Sequence, residues 1–152
     1  MKKLFLVMAL VIAVLAAYLL WPSDEGRIRK LFHDAAKAAE AGDVDAIMAK
    51  ISYSYSDDYG MSYLMLKEQL KTQFTGLSDI HVEYDEMKID VAGGRATAEL
   101  KLRVVATLGT ETGYILGDIK TPLTLKVALE KEHAKWLITR VERIGGNAPP
   151  GL

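Results

Sequence analysis

The sequence contains no cysteine, which excludes a disulfide framework, a thiolate nucleophile and a cysteine-based zinc site. It also lacks an excess of either charge: 19 Lys and Arg stand against 20 Asp and Glu, for a formal net charge of −1. A nucleic-acid surface normally shows a basic bias, so no nucleic-acid partner is expected. No HExxH helix, acidic calcium loop or glycine-rich phosphate loop is present, and VAGGRA at 91–96 has the context of a hairpin turn. No metal and no cofactor are therefore expected. There is no internal repeat. The 152 residues suffice for one domain with a real core.

What is present begins with an apolar run. After Lys2 and Lys3, the 18 residues Leu4 to Trp21 carry no charge. As a helix this run is roughly 27 Å long at 1.5 Å per residue, close to a bilayer core of about 30 Å. An uncleaved single-pass anchor over residues 1–22 is the expected reading. The alternative is a signal peptide cut after Val14-Leu15-Ala16, with secretion of the remainder, but that cut leaves AYLLW as an apolar new terminus. Tyr18 and Trp21 suit an interfacial aromatic belt, and Lys2 and Lys3 favour a cytoplasmic N-terminus. The body of the chain is then expected in the periplasm of a bacterial cell, held at the inner membrane. Setting those two lysines aside leaves 17 basic residues against 20 acidic, so the body carries about −3.

Beyond Pro22, Ser23 or Asp24 can cap a helix whose stripe is Ile28, Leu31, Phe32, Ala35 and Ala39, ended by Gly42. Asp43 caps a short second helix with Val44, Ile47, Met48 and Ile51 inward. A third helix runs from Ser62 to about Thr75. The period then changes to two. Ile80, Val82 and Tyr84 alternate, and Met87, Ile89 and Val91 resume on the opposite parity, so one extra residue near Asp85-Glu86 marks a bulge or a break. After a turn at Gly93-Gly94, Ala96 to Leu108 form the longest alternation. GTETGYILGDIKTP reads as a long connection. Leu123 to Leu129 alternate again, and WLITRVERI is the last strand. The tail at 145–152 is rich in glycine and proline and reads as disordered. The fold class is α+β: three helices on a curved four-stranded antiparallel sheet, over 24–144, preceded by one transmembrane helix.

AAEAGDVDAIMAKIS, the Tyr/Asp-rich connection after it, the helix ending in Phe74, IDVAGGRATAELKLRV and WLITRV stand in this order. Together they resemble the nuclear transport factor 2-like superfamily, the cystatin-like cone that includes SnoaL-like and ketosteroid isomerase-like proteins, and in particular its functionally unassigned bacterial members. The resemblance covers about Asp24 to Ile144. It implies helices folded over a curved sheet around a cavity that can hold a small apolar ligand. It implies no single activity, because members include isomerases, dehydratases, hydrolases, cyclases, transport factors and association domains.

Catalytic members of that superfamily place an Asp or His base, or a Tyr–Asp pair, inside the cavity. Here His33 and His81 lie off the apolar stripes and His133 lies in a turn. The inward positions of 96–108 and 123–129 carry no ionisable residue, which argues against a catalytic interior. The remaining candidates cluster in ISYSYSDDYG at 51–60. Asp57 or Asp58, beside Tyr59, Tyr63 or Tyr84, is the candidate general base, since a carboxyl buried among rings has a raised pKa. In the other reading the rings pack and the aspartates bond nearby backbone in a turn. Tyr53, Tyr55, Tyr63, Tyr84 and Trp136 are the candidate cavity residues. The expected function is a membrane-anchored, non-catalytic cone binding an envelope protein or a small apolar ligand. The alternative is a small isomerase, hydratase or cyclase. Glu99, Lys101, Arg103, Lys126 and Glu130 form a mixed-sign sheet face, which is either solvated or the seat of a homodimer.

Overall fold

The computed structural model describes residues 2–146, with the side chains of 2–6 and 20 excepted. Four helices precede five strands. α1 spans Lys2–Leu20. α2 (Asp24–Glu40) starts where Ser23 Oγ accepts from the Gly26 amide at 3.0 Å, with Asp24 and Glu25 beside the positive end of the helix dipole. It ends in a Schellman motif. Gly42 takes φ +66°, its amide donates to Ala39 O, and the Asp43 amide donates to Ala38 O at 2.9 Å. Asp43 then caps α3 (Val44–Met48) by accepting from the Ala46 amide at 2.9 Å. α4 runs from Tyr63 to Phe74, and its first residues Leu64 and Met65 are exposed.

The sheet is antiparallel throughout: β1 (Leu77–Ala92), β2 (Arg95–Leu108), β3 (Glu111–Leu116), β4 (Leu123–Glu132) and β5 (Lys135–Gly145). Its order is β1-β2-β4-β5, with β3 also on β2. β2 is the spine. One side pairs with β1 along its whole length. The other pairs with β4 over 95–102 and with β3 over 104–108. The chain passes from β3 to β4 at Gly117, whose φ is +64°, and a Cβ there would lie 2.7 Å from Leu102 O. Only glycine fits so close a backbone approach.

The parity switch in β1 is a bulge. The register shifts by one residue between Asp85 and Lys88, and Glu86 sits at φ +50°. The sheet differs from the sequence expectation in strand number. Glu111–Leu116 is a fifth strand, within the segment expected to be a connection. Its glycines at 109, 113 and 117 carry the composition of a loop, but pairing to β2 outweighs that local preference. β5 has two shifts of register, at Thr139 and at Ile144, of which the first reverses its inward parity.

The two ends of the cone are built differently. The closed end holds the start of α2 and the β1–β2 and β4–β5 hairpins. There Ile28, Ala98 and Leu129 are essentially sealed from water, and the small Ala96 belongs to the same packed cluster. Fully burying an Ile, Leu or Met side chain contributes about 1.5–3 kcal/mol. Asp24 Oδ1 closes this end, accepting from Lys131 Nζ at 2.9 Å and from Trp136 Nε1 at 3.0 Å. The open end holds the end of α2, the end of α4 and the start of β1. Its apolar side chains are only half-buried, because they face a hollow.

No single helix among the described residues is long and apolar enough to cross a membrane; Val7–Leu19 with Asp24–Glu40 form a pair bent by 44°. Part of the expected span, the side chains of 4–6 and 20, lies outside the described residues, as does the expected tail at 147–152.

Candidate functional site

The hollow is a cavity of about 310 Å³. Phe32, Ala35, Ala36 and Ala39 of α2 roof it, and the last turn of α4 closes one side with Leu70, Gln73 and Phe74. The sheet supplies the floor: Ile80, Val82 and Tyr84 of β1, Leu100, Leu102 and Val104 of β2, Ile115 and Leu116 of β3, and Leu125, Val127, Ile138 and Val141 of β4 and β5. Among the described residues, Gln73 and Tyr84 are the only wall residues with polar side-chain atoms, and none is ionisable at neutral pH. The volume lies at the lower end of small-molecule sites. The three alanines of α2 create it. Ala39 lies one turn beyond the adjacent Ala35 and Ala36, and each leaves open the space that a larger apolar residue would fill.

Of the candidate cavity residues, Tyr84 lines this wall. Tyr53, Tyr55, Tyr63 and Trp136 stand elsewhere, and the reason lies in the path of residues 50–56. This segment runs beside the outer edge of β5. Ile138 donates to Lys50 O at 2.9 Å, and Ser52 and Ser56 donate to the carbonyls of Ile138 and Thr139 at 2.9 and 3.2 Å. It thereby covers an otherwise open sheet edge. Buried Ser52 donates to the Glu132 carboxylate and shares a 2.9 Å bond with Ser54 Oγ. Tyr55 is buried beneath the segment, and burial pushes its hydroxyl pKa up to about 12. Tyr53 is 84% exposed and packs its ring 4.6 Å from that of Tyr63. Trp136 belongs to the closed end, bonded to Asp24.

The carboxylates of the decapeptide have partners outside the cavity. Asp57 Oδ1 accepts from the Tyr59 and Met61 amides, both at 2.9 Å, which closes a turn. Asp58 pairs with Arg140 at the surface. Tyr59 is 80% exposed. None of Asp57, Asp58 and Tyr59 touches the cavity wall. His33, His81 and His133 are exposed, with His81 Nδ1 3.1 Å from Glu40. No cluster of three or more His, Cys, Asp or Glu that could hold a metal occurs among the described residues.

Three residues of the mixed-sign sheet face, Lys101, Arg103 and Glu130, have partners within the chain. Lys101 Nζ lies 2.6 Å from Glu86, Arg103 bonds Asp118 O at 3.1 Å and lies 3.4 Å from Asp85, and Arg95 lies 3.4 Å from Glu130. Sequence reasoning missed the contribution of β3 to the cavity. The β-favouring triplet Tyr114-Ile115-Leu116, five residues after a glycine turn, is the signal that identifies it.

No family model matches this sequence, and no curated protein matches it. Solved structures do match. A provisionally assigned scytalone dehydratase from Novosphingobium aromaticivorans is 13% identical with a TM-score of 0.68, over 83% of this chain and 92% of that one. A nuclear transport factor 2-like protein with a cystatin-like fold, also from Novosphingobium aromaticivorans, is 17% identical with a TM-score of 0.64, over 85% and 86%. A protein of unknown function with a cystatin-like fold from Nostoc punctiforme is 16% identical with a TM-score of 0.65, over 85% and 96%. Identities this low speak for the fold and for nothing beyond it. This chain has the cystatin-like cone fold of the nuclear transport factor 2-like proteins.

Proposed function

We propose that the chain is a membrane-tethered, non-catalytic binding domain that holds a small apolar ligand in the open end of its cone. The observation that carries this reading is the cavity wall: about 310 Å³ of space bounded by aliphatic and aromatic side chains, with Gln73 and Tyr84 as its only polar members among the described residues. General acid–base chemistry needs a titratable group within hydrogen-bond reach of the reacting atom. The candidate bases Asp57 and Asp58 are engaged in a turn and in a surface ion pair. The dehydratase name of one structural relative therefore finds no corresponding group on this wall.

The tether is read from α1. Its described side chains are apolar around the whole circumference and nearly all exposed, from Val7 and Met8 to Tyr18 and Leu19, and among the described residues α1 packs extensively on no other element. An all-apolar helix of this kind needs an apolar surrounding. With Lys2 and Lys3 on the cytoplasmic side, the cone stands outside the cytoplasm. The closed end adjoins the tether, because three residues, Trp21 to Ser23, join α1 to Asp24 at the start of α2. The cavity mouth then points away from the bilayer, so the ligand exchanges with the aqueous side or with a partner protein there.

Photolabelling tests the binding reading. The full chain in lipid nanodiscs is exposed to a diazirine derivative of dodecanol, and the labelled peptides are mapped by mass spectrometry. Labels on 70–84 and 100–116 that disappear in Ala39→Phe support the cavity. Labels confined to α1, unchanged by Ala39→Phe, contradict it.

A further inference from the structure

Arg143 has a placement that the strand pattern hides. Unbroken alternation from Trp136 and Ile138 puts Arg140, Glu142 and Ile144 on the inner face of β5. The extra residue at Thr139 reverses this: Arg140 stands opposite Ala128, Val141 opposite Val127, and Arg143 opposite Leu125. Directly paired residues of antiparallel strands share a face. Val127, Val141 and Leu125 all belong to the cavity wall, so Arg143 takes the next position on that same face. It lies one step towards the open end, at the margin of the wall.

Its guanidinium forms no hydrogen bond or ion pair among the described residues, and its Nε is buried without a partner. Arg29, Arg95, Arg103 and Arg140 each have a carboxylate nearby. A guanidinium on an otherwise apolar inner face, with a buried N–H unanswered, is an uncompensated cost that an anion relieves. Its planar fork matches a carboxylate or a phosphate.

We propose that the cavity takes a single-chain amphiphile with an acidic head, its apolar body inside the cone and its carboxylate or phosphate on Arg143 at the rim. The proposal rests on the apolar-ligand reading above and adds the head group to it. The chain enters the space under Ala35, Ala36 and Ala39, and the head remains at the mouth, where water reaches it.

The test uses the full chain in nanodiscs with three ligands: laurate, dodecyl phosphate and dodecanol. Binding is followed by displacement of the photolabel from 70–84 and 100–116. Arg143→Met is expected to weaken laurate and dodecyl phosphate by about tenfold or more, the scale of a charge-assisted bond. It leaves dodecanol unchanged, and Arg143→Lys recovers part of the loss. The ratio of laurate to dodecyl phosphate affinity in the native protein identifies the head. If Arg143→Met weakens all three ligands alike, Arg143 is merely structural and the head-group assignment is overturned. Unchanged binding of all three overturns it as well. If none of the three displaces the label from the native chain, the cavity reading itself falls, and the head-group proposal falls with it.

Discussion

The closed and open ends of the cone use the same strands to opposite effect. On β2, Ala96 and Ala98 lie in a filled core, whereas Leu100, Leu102 and Val104, from two residues further on, face a hollow. Patterning does not separate them, since all are apolar and all point inward. Side-chain volume on the opposing helix does: Ile28 and Leu31 oppose the closed end, Phe32 stands at the boundary, and Ala35, Ala36 and Ala39 roof the cavity. One amphipathic helix therefore changes from plug to vault within a single turn. The fold sets the curvature, and a few alanines decide where the space is left.

Truncations contrast the two ends most strongly. Leu129→Ala at the closed end is expected to cost about 2–5 kcal/mol, as filled-core truncations do. Leu102→Ala at the open end is expected to cost no more than about 2 kcal/mol, the foot of that range, because part of its surface already faces empty space. Urea unfolding of both variants checks this. Equal losses would mean that the open end is packed as tightly as the closed end.

A second contrast concerns pH. The buried Tyr55 hydroxyl titrates near 12 in the folded chain, above the ordinary value of 10.0. Between those values the unfolded chain gives up this proton and the folded chain keeps it, so stability present below pH 10 falls as pH rises towards 12. Tyr55→Phe is expected to flatten this alkaline limb in melting curves. Asp24 has the opposite sign. Hydrogen bonds from Lys131 and Trp136 hold its carboxyl below the usual range, so its contribution is present above the ordinary value of 3.8 and is lost as pH falls. Asp24→Asn is expected to weaken the acid dependence at the closed end.

Smaller effects sharpen the same picture. The β4–β5 hairpin turns through His133 and Ala134, both at positive φ, where a side chain is strained. Ala134→Gly is expected to raise stability by about 1 kcal/mol, read as a higher melting temperature. Lys101→Ala removes an exposed pair with Glu86 and is expected to change stability by less than about 1 kcal/mol. The same variant tests whether this face joins two copies: a change in sedimentation would show that it does.

The helices and their caps were legible because Ser23, Gly42 and Asp43 act through the first turn beside them. Of the two register shifts in β1, the one between Asp85 and Lys88 was legible because it reversed the alternation of Ile80, Val82 and Tyr84, while the one between Ser78 and His81 was not. β3 was not, because six residues flanked by glycine gain their strand character from pairing with β2 rather than from their own pattern. The inward turn of Arg143 was hidden for a related reason. One extra residue at Thr139 reverses the parity of all that follows, and a strand mixing Thr, Arg, Val and Glu shows no break in its pattern. The apolar character of the interior was legible in the inward positions of 96–108 and 123–129. The cavity was expected from the superfamily resemblance alone, since Ala35, Ala36 and Ala39 by themselves fit close helix packing equally well.

The central claim is that the open end is an apolar binding space. The most direct measurement is a methyl NMR titration of the full chain in nanodiscs with dodecanol. The account predicts saturable shifts at Leu100, Leu102, Val104 and Ile115, with Ile28 and Leu129 unmoved. Shifts confined to the outward-facing Val105, or shifts that never saturate, would contradict it.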